Sequence, residues 1–468
     1  MKGQFVKRGK VMSLKYRVYG WVHKTTKKLL KRSDDLPRSV KLISIEDNGS
    51  GSVSLTNTGF VNETEIESDV VELSDVFPVE NLVSAEAVGG SISFKRRSKS
   101  VDYAESLEEA ESLWPFFIEN SLIAKNYRNG GTHYAGYILE CQEWCLPSWI
   151  WTNAALVRYY IRCGSVDEAT KLGDIIIAHQ EVCGGWIVRN DYSSHGIIPV
   201  LAPNDSCYIA LNCCLELYEV LRDPKYLSAA ERTGQWVMET ARKDGLVYFG
   251  VDTKTGRWIT NRNIVDVGFT GGLFAKLFEI TKKEKYLEFL KRFVKAYVKV
   301  FYIPEKKCFA TAIDSLDHQY GGAFGRGQAW ALEGLIPAYR VLQEDYLKNV
   351  IESTIDTLLD KQLRNGGWSY NLAKPLMGED SKAVSVIAKS MLEWYMLDGN
   401  GNQKLVESAK NALNWCAKHT VRNTEGKGGI FSYTVEGAIA HHRYSNTAFV
   451  YGSSYALECM EILKRNFF

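Results

Sequence analysis

Residues Phe324 to Leu335 read FGRGQAWALEGL, a segment in which two glycines flank Arg326 before an apolar helical pattern begins. Gln328 and Trp330 follow within about one helical turn of 3.6 residues, so three side chains able to bind a ligand are grouped where this helix starts. Loops and helix ends at one face of a rigid scaffold are where binding sites are usually built. The segment therefore predicts a site at the start of a helix.

Similar helix starts recur along the chain at nearly constant spacing. Between each consecutive pair lies a more charged helix with a single apolar stripe, such as KEKYLEFLKRFVKAYVKVF at residues 283–301. A charged helix of this kind lies outside a bundle, whereas a helix rich in Ala, Gly and aromatic residues is buried on most sides. Six inner and six outer helices predict an all-α toroid, an (α/α)6 barrel, over residues 105–468. The inner helices are predicted to begin near Trp149, Asp205, Asp266, Gly327, Lys382 and Asn446, at intervals of 56, 61, 61, 55 and 64 residues.

Residues 1–104 have a different character and are predicted to form a charge-polarised extension or small adaptor domain that could contain β-structure. Residues 1–41 hold thirteen Lys and Arg against two acids, whereas residues 42–94 hold ten acids and no Lys or Arg. The segment KYRVYGWVHKTTKKLLKR, residues 15–32, interleaves aromatic and basic residues and could contact an anionic membrane surface. A solvated basic face packed against the acidic strip is the other interpretation.

The composition is that of an ordinary globular protein. Apolar residues make up 45% and charged residues 24% of the 468, and the net charge of +2 gives no preference for nucleic acid. The ten cysteines show no zinc-ribbon spacing, so we expect buried, reduced thiols. The sequence contains no signal-peptide core and no run of 18 apolar residues, and a cytoplasmic location is expected.

Asp205 and Asp266 are the candidate catalytic residues. They lie 61 residues apart, which is one repeat, so we expect them at similar depths on adjacent inner helices. Two carboxylates facing one cavity are the minimum that acid/base chemistry on a glycosidic substrate requires. The alternative is that each aspartate caps its helix by bonding exposed N–H groups. The sequence leaves both interpretations open.

Other side chains at the helix starts are candidates for substrate binding. Arg326 and Arg262 match the geometry of a carboxylate, either from a substrate or from the two aspartates. Aromatic rings could stack on sugars, although core packing explains many of them. His318, His441 and His442 show no metal-ligand spacing, so no metal site is predicted. The candidate substrate-binding residues are Asn204, Arg262, Arg326, Gln328, Trp330, Trp151, His318 and Tyr444.

Two copies of Q-x-x-x-G-x-W occur, at Gln180–Trp186 and Gln362–Trp368. In toroid proteins such a motif ties the end of an outer helix to the next loop, with the glutamine bonding backbone and the tryptophan packing over it. Trp186 and Trp368 are therefore predicted to be mainly structural.

Several segments together resemble a known family. R-G-Q-A-W-A opens an inner helix, R-N-I-V-D spans Arg262–Asp266, and Asp380-Ser381 is followed by Ala383. In order and spacing these segments resemble the unsaturated glucuronyl hydrolases and the related unsaturated rhamnogalacturonyl hydrolases, glycoside hydrolase families 88 and 105. The resemblance covers roughly residues 105–468.

The resemblance implies an activity and a set of roles. The substrate would be an unsaturated uronic acid at the non-reducing end of an oligosaccharide or polysaccharide fragment, as a lyase leaves it. Asp266 would protonate the vinyl ether and then activate water, and Asp205 would bind ring hydroxyls and tune Asp266. Gln328, Arg326 and Trp330 would line the sugar pocket. No metal or organic cofactor would be needed.

The sequence departs from the family pattern at three places. A histidine usually precedes the first aspartate, where this chain has Asn204. The closing Gly-Asp is Gly452-Ser453, and Pro337 falls inside the fourth inner helix, where a lost hydrogen bond predicts a kink.

The same architecture also allows functions other than hydrolysis of an unsaturated uronic acid. The N-terminal region favours a polysaccharide-biosynthesis protein, or a glycan-binding or glycan-modifying protein, that kept the barrel as a sugar module. A sugar epimerase is a further alternative, although epimerases of this kind usually rely on histidine pairs and only His441-His442 is present. A terpenoid cyclase is rejected, because the repeats contain no D-x-D-D or D-D-x-x-D cluster. A pure protein-interaction solenoid fits poorly with polar groups concentrated at inner-helix starts.

Overall fold

The chain forms two compact units, residues 1–101 and residues 102–468. The computed structural model describes residues 44–47, 52–56, 82–88, 91–96, 101–124, 130–139, 143–145, 150–190, 198–398, 401–431 and 447–467. The basic segment of residues 1–41, with its predicted membrane contact, lies outside these ranges. An adaptor role for residues 1–104 stays a prediction.

The first unit contains the β-structure that the sequence allowed for. Its four described strands are β1 Ser44–Asp47, β2 Ser52–Thr56, β3 Leu82–Val88 and β4 Ser91–Arg96. They form an antiparallel sheet in the order β1-β2-β4-β3.

The second unit is an (α/α)6 barrel, as the repeat predicted. Each inner helix packs against the next one in chain order, and the last packs back against the first, which closes the ring. The outer helices are α1 Leu107–Asn120, α3 Val166–Ala178, α6 Pro224–Thr240, α8 Glu284–Phe301, α10 Asp345–Lys361 and α12 Gln403–Lys418. The inner helices are α2 Ile150–Arg162, α4 Pro203–Ile209 with its continuation α5 Glu216–Leu221, α7 Phe269–Thr281, α9 Gly325–Leu342, α11 Ser381–Asp398 and α13 Val450–Phe467.

The two kinds of helix are distinguished by how much of their surface is buried. In α8, Phe289, Phe293 and Tyr297 follow one another at four-residue spacing and are fully buried, while its lysines point outward. Inner helices α7 and α9 approach so closely that a Cβ atom at Gly334 would lie 1.9 Å from the Gly268 carbonyl oxygen. Glycine is therefore required where these inner helices cross.

Inner helices also end in a common way. Three of them have a C-cap residue in the left-handed region, Arg222 (φ 56°), Lys282 (φ 55°) and Gln343 (φ 53°), and an outer helix begins two residues later in each case. In this shared turn, one left-handed residue closes the last hydrogen bond of the inner helix and ends it. The chain can therefore reverse direction tightly.

The Q-x-x-x-G-x-W motifs act as predicted. The Gln362 amide donates to the carbonyl oxygens of Gly366 and Ser408, each at 2.9 Å, and Trp368 Nε1 donates to the Leu358 carbonyl oxygen at 2.7 Å. The first copy repeats this pattern with Gln180 and the fully buried Trp186. The structural role predicted for the two tryptophans is confirmed.

Short strands line one end of the barrel, in the loops that lead into the inner helices. One of them, Thr447–Phe449, pairs with Gly136–Ile138, so the last inner helix begins at Val450 and not near Asn446. The strands are β5 Gly136–Ile138, β6 Glu143–Cys145, β7 Ile187–Asn190, β8 Ile198–Leu201, β9 Gly250–Asp252, β10 Arg257–Ile259, β11 Arg262–Ile264, β12 Tyr302–Ile303, β13 Cys308–Phe309, β14 Ala312–Asp314, β15 Gln319–Tyr320, β16 Ser369–Asn371, β17 Lys374–Glu379 and β18 Thr447–Phe449.

One helix is irregular at a place that the sequence did not indicate. Helix α9 is not that helix, because it continues through Pro337 without ending there. Between α4 and α5 the backbone instead forms a π-helical segment, Ala210–Leu215, and such segments are frequent near functional sites. Within the described ranges, no helix has the length and apolar character needed to cross a lipid bilayer.

A buried polar network fills the middle of the barrel. The hydroxyl groups of Tyr208 and Tyr455 lie 2.9 Å apart, and the Tyr455 hydroxyl also bonds the carboxylate of Glu333. Arg158 lies over the Tyr455 ring and pairs with Glu458 at 2.8 Å. The ion pair and the hydrogen bonds offset part of the cost of burying these charges.

Candidate active site

Asp205 and Asp266 open neighbouring inner helices. Asp205 lies in the first turn of α4, and Asp266 lies in a 3₁₀ turn, Val265–Gly268, that leads directly into α7. The N-cap positions belong to Ala202 and Ile264, and neither helix start has a side-chain cap. Neither aspartate therefore acts as the N-cap of its helix.

The two carboxyl groups interact electrostatically. Burial and the charge of Asp205 raise the pKa of Asp266 well above its usual range, against the hydrogen bond from Asn204 and the positive charge of Arg326. Burial raises the pKa of Asp205 to about 7. Carboxyl groups that repel one another in a poorly solvated place retain a proton near neutral pH. The pair is therefore equipped to donate a proton at that pH.

Buried acceptor atoms surround this pair. Asn204 is 2% exposed and its side chain hydrogen-bonds Asp266. Oδ1 of Asn204 and Oδ1 of Asp266 are both buried, and neither has a hydrogen-bond partner within the described part of the chain. Buried oxygens normally have a donor, which sugar hydroxyls or water can supply.

Arg326 lies in the first turn of α9, on the next inner helix. Its Nη1 atom is 3.5 Å from Oδ2 of Asp380, and its Nη2 atom donates to the Tyr370 hydroxyl at 3.1 Å. The guanidinium group also lies over the rings of Tyr370 at 5.1 Å and Trp330 at 5.5 Å. Trp330 and Arg326 thus form one wall, and the charge of Arg326 acts on Asp266.

Gln328 is fully buried in this helix start. Its Oε1 accepts a hydrogen bond from the Phe309 amide at 2.7 Å, and its Nε2 donates to the carbonyl oxygens of Phe309 and Phe324. The side chain therefore fixes the β13 loop to α9. A substrate contact through Gln328 stays a prediction.

An arc of aromatic rings connects the inner helices at the level of the aspartates. Trp151 on α2 contacts Tyr208 on α4 edge-on at 5.9 Å, and Tyr208 contacts Phe269 on α7 at 4.8 Å. Phe269 contacts Trp330 at 6.2 Å, and Trp151 contacts Tyr451 on α13 at 4.9 Å. The arc provides the kind of apolar floor on which the C–H face of a sugar can stack.

Two members of this arc, Tyr208 and Phe269, were not predicted as site residues, although the sequence carries a signal for each. Tyr208 follows Asp205 by three residues, and Phe269 follows Asp266 by three residues. Side chains three apart on a helix lie on the same face, so both rings are expected beside their aspartates.

The remaining candidates are exposed or lie outside the described residues. Arg262 is exposed and lies over the ring of Phe249 at 4.7 Å, in a cluster against which Trp151 also packs. His318 is exposed and its Nδ1 is 3.1 Å from Oδ2 of Asp314, a contact within the β14–β15 hairpin. Tyr444 falls outside the described residues. Substrate binding by these three stays a prediction.

Titratable groups also lie at the starts of α11 and α13. Asp380, Lys382 and Tyr451 are each less than a tenth exposed, and all three interact electrostatically with Arg326 or with one another. Asp380 caps α11, because its Oδ1 accepts a hydrogen bond from the Lys382 amide at 3.1 Å. In the part of the chain that the structure covers, no group of three or more His, Cys, Asp or Glu is placed to hold a metal ion.

Comparisons with known proteins identify a family and a shared fold. The model of Glycosyl Hydrolase Family 88 matches residues 147–460. No curated protein sequence matches the chain.

Several solved structures share the fold. An unsaturated glucuronyl hydrolase specific for heparin superposes with a TM-score of 0.61 at 15% identity, covering 77% of this chain and 97% of that one. The unsaturated glucuronyl hydrolase of Bacillus sp. GL1 gives 0.59 at 15% identity with the same coverage. A possible member of the GH105 family from Salmonella enterica gives 0.58 at 18% identity, covering 80% of this chain and 97% of that one.

Proposed function

The chain belongs to glycosyl hydrolase family 88, and on this premise we propose that it removes an unsaturated uronic acid from the non-reducing end of oligosaccharides. One structural relative is specific for heparin, and another is responsible for the degradation of glycosaminoglycan. The observation that carries the proposal is the pair formed by the half-buried Asp205 and the buried Asp266, in which burial and the charge of Asp205 raise the pKa of Asp266.

In the proposed reaction, Asp266 acts first as an acid and then as a base. The protonated carboxyl gives its proton to C4 of the unsaturated ring, and positive charge develops at C5. The resulting carboxylate removes a proton from water, whose oxygen bonds to C5 and forms a hemiketal. The hemiketal opens to a ketone, and the anomeric carbon then expels the neighbouring sugar as an alcohol and becomes an aldehyde. Water is the only co-reactant.

The neighbouring residues have supporting roles in this proposal. The charge of Asp205 keeps the proton on Asp266 until the substrate takes it, and the Asp205 carboxylate accepts hydrogen bonds from ring hydroxyls. Asn204 holds the Asp266 carboxyl by a hydrogen bond and offers its own Oδ1 to a sugar hydroxyl. Trp330 and Trp151 supply rings for stacking.

The test follows the ultraviolet absorbance of the conjugated C4=C5 double bond in lyase-generated disaccharides from several polyuronates. Wild type should consume the absorbance, and Asp266→Asn should lower kcat by about 10²–10⁴-fold because it removes the transferable proton. The exposed Asp360→Asn on outer helix α10 is the matched control and should leave kcat unchanged.

Absence of turnover on every polyuronate would overturn the proposed reaction. Oligosaccharide binding without turnover would then favour the alternative, a glycan-binding or glycan-modifying role in polysaccharide biosynthesis. A cytoplasmic location also belongs to the proposal, supported by the free buried thiols of Cys207, Cys213 and Cys214, and cell fractionation tests it.

A further inference from the structure

One chain of hydrogen bonds joins three inner helices that are not neighbours in the ring. Tyr208 lies on α4, Glu333 on α9 and Tyr455 on α13, which are the second, fourth and sixth inner helices, and all three side chains are buried. The hydroxyl groups of the two tyrosines are 2.9 Å apart, and the Tyr455 hydroxyl donates to Oε1 of Glu333. The chain therefore ties together parts of the barrel that other inner helices separate.

The protons in this chain point in one direction. The Tyr455 hydroxyl has a single proton, which it donates to Glu333. The bond between the two hydroxyl groups can then form only if Tyr208 donates its proton to the Tyr455 oxygen. Glu333 is the terminal acceptor, so its carboxyl group decides how both tyrosine hydroxyls are oriented.

Two cations support this terminal acceptor without depending on it. The positive charges of Lys389 and Arg158 oppose the rise that burial causes in the pKa of Glu333. Lys389 Nζ is also 2.6 Å from Oε1 of Glu393. Arg158 Nε is 2.8 Å from Oε1 of Glu458. Removal of the Glu333 carboxylate would thus leave each cation with an acid of its own.

Tyr208 connects the chain to the candidate active site. It follows Asp205 by three residues on α4, and its ring contacts Trp151 at 5.9 Å and Phe269 at 4.8 Å. Its backbone is held separately, because the Asn212 side chain donates to the Tyr208 carbonyl oxygen at 3.0 Å. The hydroxyl bond to the chain is therefore the polar contact that sets the position of the ring.

We propose that Glu333, through Tyr455, positions the ring of Tyr208 and with it the aromatic floor beside Asp205 and Asp266. Glu333 acts through two other side chains and is a positioning residue. Groups behind a site must hold it to within about 0.5 Å of its working geometry, and a hydrogen-bonded chain anchored on a second helix can do so. The proposal rests on the proposed function, because that function identifies the site.

The kinetic experiment follows kcat/KM on unsaturated disaccharides in the absorbance assay. Glu333→Leu removes the terminal acceptor and should lower kcat/KM by about 10- to 100-fold, since a small displacement of the floor misplaces the sugar. Glu333→Gln keeps an acceptor oxygen and should restore most of the loss. Tyr226→Phe is the matched control, because it removes a 2.7 Å bond from a buried tyrosine to the Asp174 carboxylate on the outer helices and should leave kcat/KM unchanged.

A double-mutant cycle tests whether the residues act as one chain. Tyr455→Phe should lower kcat/KM by about the same factor as Glu333→Leu, and the double variant should be no slower than either single variant. Losses that multiply would overturn the proposal. Destabilisation with an unchanged kcat/KM would also overturn it, because a purely structural bond predicts that result. Tyr208→Phe replaces Glu333→Leu in the cycle if circular dichroism shows that the leucine variant is unfolded.

Crystal structures of Glu333→Leu and Glu333→Gln give a measurement that does not require turnover. We expect the Tyr208 ring to move away from Phe269 in the leucine variant and to keep its place in the glutamine variant. An unmoved ring in Glu333→Leu would contradict the positioning role, whatever the activity of the wild type. A displaced ring in a protein whose wild type consumes no unsaturated disaccharide would support that role and contradict the proposed reaction.

Discussion

Asp205 and Asp266 occupy helix starts, where an aspartate ordinarily stabilises the helix by accepting N–H hydrogen bonds. Here neither residue caps its helix, whereas Asp380, at the equivalent place on α11, does. Three aspartates in similar sequence positions therefore have different surroundings. The pKa values of Asp205 and Asp266, which cap no helix, are raised because their carboxylates are costly to remove from water in charged form.

This cost leads to a prediction about stability at the residue scale. The folded-state pKa of Asp205, about 7, is above that of an unfolded aspartate, so its contribution to stability is present at pH 4 and is lost as the pH rises through 7. Asp205→Asn should therefore stabilise the protein relative to wild type by about 1–3 kcal/mol at pH 8, and by little at pH 4. Denaturant unfolding at the two pH values measures it. An equal effect at both would contradict the assignment of a raised pKa.

At the scale of elements, the barrel depends on how the end of each outer helix is attached to the following loop. Gln362 bonds two carbonyl oxygens that belong to different segments, and Ser408 Oγ donates back to its Oε1 at 2.9 Å. One amide thus joins the end of α10, the β16 loop and α12. Trp368 is fully buried, and its Nε1 donates to the Leu358 carbonyl oxygen of α10.

Removal of this amide should destabilise the barrel. Gln362→Leu leaves the Gly366 and Ser408 carbonyl oxygens without their donor, and we expect a loss of about 1–3 kcal/mol in the free energy of unfolding. Gln235→Leu is the matched control, because Gln235 is exposed on α6 and should change stability by less than about 0.5 kcal/mol. Urea unfolding compares them, and equal stability of the two variants would show that the motif has no such role.

At the scale of the whole molecule, all six helical pairs of the barrel lie within residues 102–468. The ring is closed within this unit, since α13 packs against both α1 and α2. The four described strands of the first unit form a sheet of their own. A unit with its own core can in general fold alone.

We therefore expect residues 102–468, produced alone, to unfold cooperatively and to keep the kcat/KM of the full chain on unsaturated disaccharides. Thermal unfolding and the absorbance assay measure both properties. Loss of turnover by the shortened chain, with its circular dichroism spectrum retained, would assign the N-terminal unit a part in the site.

The repeat made the barrel predictable, because hydrophobic period and helix spacing are local properties of the chain. The location of Arg326 and Trp330 at a helix start follows from the same pattern. The burial and the backbone hydrogen bonds of Gln328 could not be predicted from this pattern, since they depend on the β13 loop, which lies 19 residues earlier. Helix α9 continues through Pro337 to Leu342, so the proline does not end the helix, and a kink at this residue stays a prediction.

The sequence alone determined the fold class, the two aspartates at matching positions, and the structural role of Trp186 and Trp368. These follow from residue type and spacing, which act over a few turns of helix. Only the tertiary structure decided that Asp205 and Lys382 are poorly solvated and surrounded by particular charges. Desolvation and Coulomb interactions depend on distances between segments that are far apart in the chain, and those distances exist only once the ring of helices has closed.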